Sequence, residues 1–263
     1  MEEHSYQDSH IHLTAPNTPW DIHDFIVQAR RQKILRFFTN TATEEEWLPA
    51  LQLGSTYPEV TPFLGLHPWY ADRVSMGWQN RLRAHLATSF CGIGEIGLDK
   101  KCGIDLRLQE QLFSDQLLIA CEFKRPVSIH CVGRWGQLLD ILNKFSIEQG
   151  LPPILIHSYS GSAETMNKLI QLGFFLSFSP TALNRPKIQC LLQKVPLLHL
   201  LLETDAPNQV HTLQSKDTPI QIINLYTEVA KLHDISLQQL QQHLWNNGSL
   251  FTTRSPLGQR KTQ

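Results

Sequence analysis

Residues 91–99 read CGIGEIGLD, a run of apolar residues and glycines that is interrupted by one carboxylate, Glu95, and ends at Asp99. A polar loop then leads into residues 105–123, where apolar residues recur with a spacing near 3.6 residues. That spacing is typical of a helix that packs one face against a core. The stretch therefore predicts one unit of a buried strand followed by a helix.

The same unit recurs along the whole chain. Short apolar or β-branched runs end in polar or glycine residues, and a stretch with helical signals follows each of them. The predicted strands lie near 5–13, 34–39, 60–66, 90–98, 126–131, 153–158, 174–179 and 198–204. Several of these runs are apolar almost throughout, which is typical of parallel strands that helices cover on both faces.

Eight such units without a long break in composition predict a closed (β/α)₈ TIM barrel, an α/β fold, as a single domain over residues 1–251. An open doubly wound sheet is the alternative, and it should carry a glycine-rich phosphate loop after the first strand. Residues 12–18, HLTAPNT, contain no glycine, which favours the barrel. Residues 252–263 are polar and predict a C-terminal tail outside the barrel.

Two helix starts have clear signals. Asn17, Thr18 and Pro19 open a predicted helix over 17–33, because a capping side chain is followed by proline in the first turn. Thr43 is predicted to cap the next helix, whose first turn contains Glu44, Glu45 and Glu46.

Composition and charge limit the class of protein. Hydrophobic residues are 41% and charged residues 18%, an ordinary globular mixture, and the formal net charge of -1 provides no global basic field for long nucleic acids. The five cysteines are odd in number and include no C-x-x-C pair, which predicts free thiols in a reducing compartment. Neither a signal peptide nor an apolar run of roughly 20 residues is present. We therefore expect a soluble, cytoplasmic protein with no membrane association and no obligatory protein partner.

Residues that commonly bind metals gather at the carboxyl ends of the predicted strands, where barrel enzymes carry their active sites. His10 and His12 are two positions apart, so both imidazoles leave the same face of the strand and can share a metal ion. A pair of hydrogen-bonded histidines at a surface turn explains this spacing equally well. The further histidines and carboxylates at the ends of the other predicted strands favour the metal site.

Glu95 lies inside an apolar strand, and Asp205 follows the apolar run that ends at Leu202. A buried carboxylate costs several kcal/mol unless a cation or a full set of donors compensates it, and a salt bridge to arginine or lysine is the alternative to a metal. His130 and His157 also end apolar strands, although either one alone is more typical of a structural histidine.

Together these residues predict a site for two divalent metal ions. The predicted ligands are His10, His12, Glu95, His130, His157 and Asp205. Imidazole and carboxylate ligands suit Zn²⁺ or Mn²⁺ better than Mg²⁺. Two ions can hold both the attacking and the leaving oxygen of a displacement. Glu95 and Asp205 are the predicted catalytic residues, and Asp205 is placed to orient the attacking water or to move its proton.

Six short segments follow one another along the chain: DSHIHL (8–13), GLHPW (65–69), GEIGLD (94–99), IHC (129–131), HSYSG (157–161) and ETDAP (203–207). In this order, these segments resemble the TatD family of metal-dependent hydrolases. The resemblance covers almost the whole chain. It implies an amidohydrolase-type barrel with a binuclear centre, in which His10, His12, Glu95 and Asp205 hold one metal and Glu95, His130 and His157 hold the other.

The resemblance also implies phosphodiester hydrolysis, chiefly DNase activity of the 3′–5′ exonuclease kind, although some TatD-like proteins remove D-amino acids from tRNA. This chain departs from common family patterns at the pocket rim, with Lys100 and Lys101 where an aromatic residue is frequent and Tyr159 where phenylalanine is usual. These departures leave every predicted ligand in place and concern the substrate.

A nuclease acting on DNA is therefore the first hypothesis. Basic residues predicted to hold phosphates are Lys100, Lys101, Arg107 and Arg134, and aromatic residues predicted to stack on bases are Trp69, Tyr70 and Trp135. His67 and Arg134 are the predicted substrate-binding residues. The alternative is a hydrolase of an ester or amide, such as a D-aminoacyl-tRNA deacylase. A catalytically inactive binding module is disfavoured because the ligand set is intact.

Overall fold

The computed structural model describes residues 5–209 and 218–252. Within these ranges eight strands alternate with helices. The strands are β1 (Tyr6–Ile11), β2 (Ile34–Asn40), β3 (Val60–Phe63), β4 (Ile93–Asp99), β5 (Val127–Val132), β6 (Ile154–Ile156), β7 (Phe175–Phe178) and β8 (Leu200–Leu202). The α-helices are α1 (Ile22–Arg31), α2 (Trp47–Thr56), α3 (Trp78–Thr88), α4 (Leu106–Phe123), α5 (Trp135–Glu148), α6 (Ala163–Gln171), α7 (Pro186–Lys194), α8 (Thr218–Leu232) and α9 (Leu237–Thr252). Every predicted strand is present.

The strands pair in sequence order and all in parallel. One segment runs β1–β2–β3 and the other runs from β4 to β8. Phe63 at the end of β3 forms a parallel bridge with Gly92, just before β4. On the other side, the backbone N–H of Asp205, after β8, donates to the carbonyl of His10 in β1 at 2.9 Å. The two segments are therefore joined between β3 and β4 and between β8 and β1, so the strands close into the predicted (β/α)₈ barrel. The doubly wound alternative, in which the strand order reverses, is wrong.

Two buried apolar clusters follow from the alternation of side chains along the strands. The smaller cluster contains Phe38, Phe63, Leu155, Phe175, Leu201 and Phe251. Neighbours on the same strands, such as Phe37 and Leu200, belong to the larger cluster that packs against the helices. The smaller cluster therefore fills the barrel interior. Phe251 of α9 packs on Phe175, the first residue of β7, and closes the end opposite the carboxyl ends of the strands.

Replacing Phe251 with alanine is expected to destabilise the protein by about 3–5 kcal/mol, because the ring is fully buried and its loss leaves a cavity among phenylalanine rings. The ring centroid lies 5.6 Å from that of Phe38 and 5.5 Å from that of Phe63. Urea denaturation followed by circular dichroism measures the change. Ile147→Ala is the control, since Ile147 is 87% exposed and should change stability by less than about 0.5 kcal/mol. Equal changes in the two variants would contradict this account of the core.

The first helix begins later than predicted. α1 starts at Ile22, and the carboxylate of Asp21 accepts from the backbone N–H of Asp24 at 2.9 Å. The hydroxyl of Thr18 instead donates to the carbonyl of Ala15 at 2.6 Å, which holds residues 15–18 in a turn before the helix. The prediction that the helix opens at Asn17–Pro19 is therefore wrong.

The second predicted helix start is correct. The residues Glu44–Glu46 form a short 3-10 turn that continues into α2, and the carboxylate of Glu46 accepts from the backbone N–H of Thr43 at 3.2 Å. At the other end of the chain, Thr252 is the last residue of α9, and the rest of the predicted tail lies outside the described residues. In the described ranges, no helix combines the length and apolar character needed to cross a membrane.

Candidate metal centre

The six predicted ligands come together at the carboxyl ends of the barrel strands. His10 lies in β1, Glu95 in β4 and His130 in β5, while His12, His157 and Asp205 lie just after β1, β6 and β8. All of them are buried except His130, whose side chain is 14% exposed. Residues from five strands thus meet in one place because the parallel strands carry their carboxyl ends to the same rim.

A glycine in β4 allows this close approach. Gly97 has φ +147°, a backbone conformation that residues with a Cβ rarely adopt. A Cβ at this position would also collide with the backbone carbonyl of His130. The strand that carries Glu95 can therefore lie directly against the strand that carries His130. This explains why position 97 in the apolar run 91–99 is a glycine.

Glu95 lies at the centre of the site, and its two oxygens face different groups. Oε1 lies 2.7 Å from His157 Nε2 and 2.8 Å from His130 Nδ1. Oε2 lies 3.4 Å from His10 Nε2 and 3.3 Å from His12 Nε2. The same His12 nitrogen lies 3.3 Å from Asp205 Oδ1. The site therefore consists of two sets of ligand atoms that share one carboxylate.

In three of the histidines, one ring nitrogen lies beside a carboxylate or a backbone carbonyl. These groups accept hydrogen bonds but cannot donate them. The pairs are His12 Nδ1 with the Asn40 carbonyl at 3.0 Å, His130 Nε2 with Asp99 Oδ2 at 3.1 Å and His157 Nδ1 with Glu203 Oε1 at 3.3 Å. Each of these nitrogens must carry a proton to donate. In the neutral imidazole the other nitrogen then has a lone pair, and in all three rings that lone pair faces Glu95.

The site is therefore rich in acceptors and poor in donors, which fits a metal centre. Asp205 Oδ1 is buried and has no hydrogen-bond partner within the described residues. Lone pairs and carboxylate charges that face one another away from water need a cation between them. Imidazole nitrogens with carboxylate oxygens form the set that Zn²⁺ or Mn²⁺ prefers. The residues present thus fit the predicted metals.

The pKa values show how strongly the site attracts positive charge. Burial alone lowers the pKa of the His12 imidazole, but the adjacent carboxylates of Asp205 and Glu95 outweigh it and raise this pKa to about 10. Burial opposes the charge on Glu95, yet the nearby histidines hold its pKa well below the usual range. The carboxylates therefore stay ionised, and protons or metal ions must neutralise them.

Comparison with known families identifies the chain. Residues 7–251 match the family model described as TatD related DNase. The chain belongs to this family. The resemblance found in the sequence is thereby confirmed, and the matched residues span the chain from β1 to α9.

Individual TatD proteins support the same assignment. The chain is 27% identical to the "3'-5' ssDNA/RNA exonuclease TatD" of Yersinia pseudotuberculosis over 76% of this chain and 78% of that protein. It is 25% identical to human "Deoxyribonuclease TATDN3", with 89% of each chain covered. The crystal structure of YJJV, a TatD homologue from Escherichia coli K12, superimposes with a TM-score of 0.84 at 25% identity and covers 94% of this chain and 97% of that one.

His67 lies closer to the centre of the candidate metal site than the sequence suggested. Its Nδ1 accepts from the backbone N–H of Trp69 at 3.2 Å, so Nε2 carries the proton and points to Glu95 Oε1 at 3.2 Å. Burial lowers the pKa of His67 to about 4, which keeps the ring neutral. His67 thus donates to Glu95 and orients it. The substrate contact expected for His67 stays a prediction.

Glu203 is a site residue that the sequence reasoning missed. It is fully buried, accepts from the hydroxyl of Ser177 and lies beside His157 Nδ1. The available signal was its position in ETD (203–205), where a carboxylate ends an apolar strand as Glu95 interrupts one. A carboxylate at the end of an apolar strand is expected to be buried and to need a compensating partner, as Glu95 does.

Replacing Glu203 with glutamine is expected to weaken metal binding by about 10- to 100-fold, because the variant loses the anionic acceptor that holds the proton on His157 Nδ1. Titration calorimetry of the metal-free protein with Zn²⁺ measures the affinity. Glu148→Gln is the control, since Glu148 is exposed at the end of α5. Unchanged affinity in Glu203→Gln would show that Glu203 does not orient His157.

Basic residues lie on the rim around the site. Arg134 is the residue before α5 and is half-buried, and its Nε is buried without a hydrogen-bond partner in the described part of the chain. Lys100 and Lys101 are exposed directly after β4. The backbone N–H of Lys101 donates to Asp99 Oδ1 at 2.6 Å, which ties this loop to the carboxylate behind His130.

Proposed function

We propose that this protein is a metal-dependent deoxyribonuclease that removes nucleotides from the 3′ end of single-stranded DNA. The observation that carries the proposal is the shared carboxylate of Glu95, whose two oxygens each face a separate set of histidine nitrogens. The activities for which the Yersinia and human relatives are named support a nucleic acid substrate.

Two divalent ions would be held by six residues. His10, His12 and Asp205 with Glu95 Oε2 would hold one ion, and His130 and His157 with Glu95 Oε1 would hold the other. When bound, the ions supply Lewis acidity and activate water for attack on the phosphodiester. The chain's own residues hold the ligands in place, since Asn40, Asp99 and Glu203 set the protonated nitrogen of three histidines.

Asp205 is the proposed proton acceptor. Its Oδ2 accepts from Gln209 Nε2 at 2.7 Å, and Gln209 also donates to Ser158 Oγ at 2.7 Å, so the carboxylate is held in one orientation. Oδ1 has no hydrogen-bond partner among the described residues and faces the site. A carboxylate so placed can orient an attacking water and take its proton.

The test uses metal-free protein, add-back of Mn²⁺, Zn²⁺ or Mg²⁺, and single-stranded DNA labelled at its 5′ end. We expect shortening of the DNA from the 3′ end only when metal is present, with two ions bound per chain by elemental analysis. No cleavage with any metal, despite two bound ions, would reject DNA as the substrate and keep the metal site. Hydrolysis of D-aminoacyl-tRNA by the same preparation would then support the deacylase alternative.

Replacing Arg134 with alanine is expected to raise KM for DNA by roughly 10- to 100-fold, the range for a lost hydrogen bond between a guanidinium and a phosphate. Metal occupancy should stay the same, because Arg134 is not among the proposed ligands. Kinetics on single-stranded DNA and elemental analysis measure both quantities. Arg31→Ala, exposed in the last turn of α1, is the control. A matched loss of metal and activity would argue against a phosphate contact.

A further inference from the structure

An exposed tryptophan lies at the rim of the metal centre. Trp69 belongs to a 3-10 turn, Pro68–Tyr70, that follows the third strand, and 52% of its surface is exposed. Of the other aromatic residues near the rim, Tyr70 is half-buried, and Trp135 packs on Tyr159 with ring centroids 5.0 Å apart. Trp69 therefore presents the largest open aromatic surface on this part of the rim.

The indole of Trp69 is held rigidly although it is exposed. Its Nε1 donates to Asp99 Oδ2 at 2.7 Å, and its backbone N–H donates to His67 Nδ1 at 3.2 Å. The His67 ring stands edge-on to the indole, with centroids 5.3 Å apart and an interplanar angle of 88°. A large aromatic surface that is already ordered loses little side-chain entropy when a ligand stacks on it.

Asp99 links this tryptophan to the metal centre. The carboxylate oxygen that accepts from Trp69 also lies 3.1 Å from Nε2 of His130. The other oxygen accepts from the backbone N–H of Lys101. One buried carboxylate thus joins the exposed indole, a proposed metal ligand and a loop with two exposed lysines, Lys100 and Lys101.

We propose that Trp69 is a specificity-determining residue that stacks on the base of the 3′-terminal nucleotide. The proposal rests on the nuclease function proposed above and adds that the enzyme recognises the base as well as the phosphodiester. Stacking on an aromatic ring tolerates any base, because every base has a π-face, whereas the neighbouring lysines suit the backbone phosphates. An apolar protein partner would gain nothing from these cations.

The test combines two protein variants with two DNA ends. Trp69→Ala should lower kcat/KM by roughly 5- to 150-fold on ordinary single-stranded DNA, the range that base–aromatic stacking supplies. On DNA whose 3′-terminal nucleotide is an abasic tetrahydrofuran, the same variant should differ from the parent protein by less than about 2-fold. Trp69→Phe keeps a ring and should retain most of the activity. Leu198→Ala, 61% exposed in the turn before the eighth strand, is the control.

An equal loss by Trp69→Ala on both DNA ends would overturn the proposal. An equal loss in Trp69→Phe would also overturn it, because the indole N–H to Asp99 would then be the group that matters. Measuring the equilibrium affinity for DNA requires no cleavage of the DNA. This measurement therefore distinguishes a failure of the stacking proposal from a failure of the proposed nuclease function. DNA with phosphorothioate linkages at its 3′ end should bind the parent protein more tightly with the terminal base than without it, even if no DNA is cleaved. Equal affinity for the two ends would overturn the stacking proposal.

Discussion

Replacing Glu95 with glutamine is expected to lower kcat for DNA cleavage on the order of 10³-fold or more, since several kcal/mol of metal-derived stabilisation is lost. Glutamine has nearly the same shape but carries no charge and only one oxygen. Its amide N–H group would face the histidine lone pairs that now surround the carboxylate. The two ions would lose the anion that they share, so we expect fewer than two ions per chain.

Steady-state kinetics at saturating metal and elemental analysis measure this effect. Glu45→Gln, at an exposed position in the turn before α2, is the matched control and should behave like the parent protein. Circular dichroism should show an intact barrel in both variants, because the substitution preserves volume. If Glu95→Gln keeps two ions and a kcat within about tenfold of the parent, Glu95 is not the bridging ligand.

Replacing Asp205 with asparagine is expected to lower kcat by about 10²- to 10⁴-fold, the range for a lost general base, while KM for DNA changes little. Asparagine keeps an oxygen for the hydrogen bond from Gln209 but cannot take a proton from water. The ligands of the other ion, His130 and His157, are unchanged. We therefore expect at least one ion to remain bound.

Kinetics over a range of metal concentrations separate the two roles of Asp205. If Asp205 were only a ligand, high metal would restore both occupancy and kcat in Asp205→Asn. If it also accepts the proton, kcat stays low after occupancy is restored. Asp140→Asn, exposed on α5, is the control for a carboxylate lost elsewhere. Full recovery of kcat at high metal would reject the proton-acceptor role.

The order of strands and helices was predictable because its causes are local. A buried strand needs a short apolar run, and a helix needs apolar residues every three to four positions. All eight strands therefore appear where the sequence predicted them. The start of α1 was not predictable in this way, because Asn17, Thr18 and Asp21 can all cap a helix. The turn at Ala15–Thr18, which depends on the preceding loop, selects Asp21.

Much of the candidate metal centre was also predictable, because a residue that ends a parallel strand lies on the same rim as the other strand ends. His10, His12, Glu95, His130, His157 and Asp205 were selected on that basis, and the structure brings them together. Their chemistry could be argued from type alone, since imidazole and carboxylate groups on one rim suit a metal.

The sequence by itself therefore determined the barrel and the residues gathered at its carboxyl end, through periodicity and through the polar residues that end apolar strands. Only the tertiary structure decided how those residues are oriented. Whether His67 donates to Glu95, whether Glu203 sets the proton on His157 and whether Asp99 holds Trp69 at the rim depend on contacts between strands far apart in the chain. Such contacts are fixed by strand register and side-chain rotamers in the closed barrel, and no local pattern in the sequence encodes them.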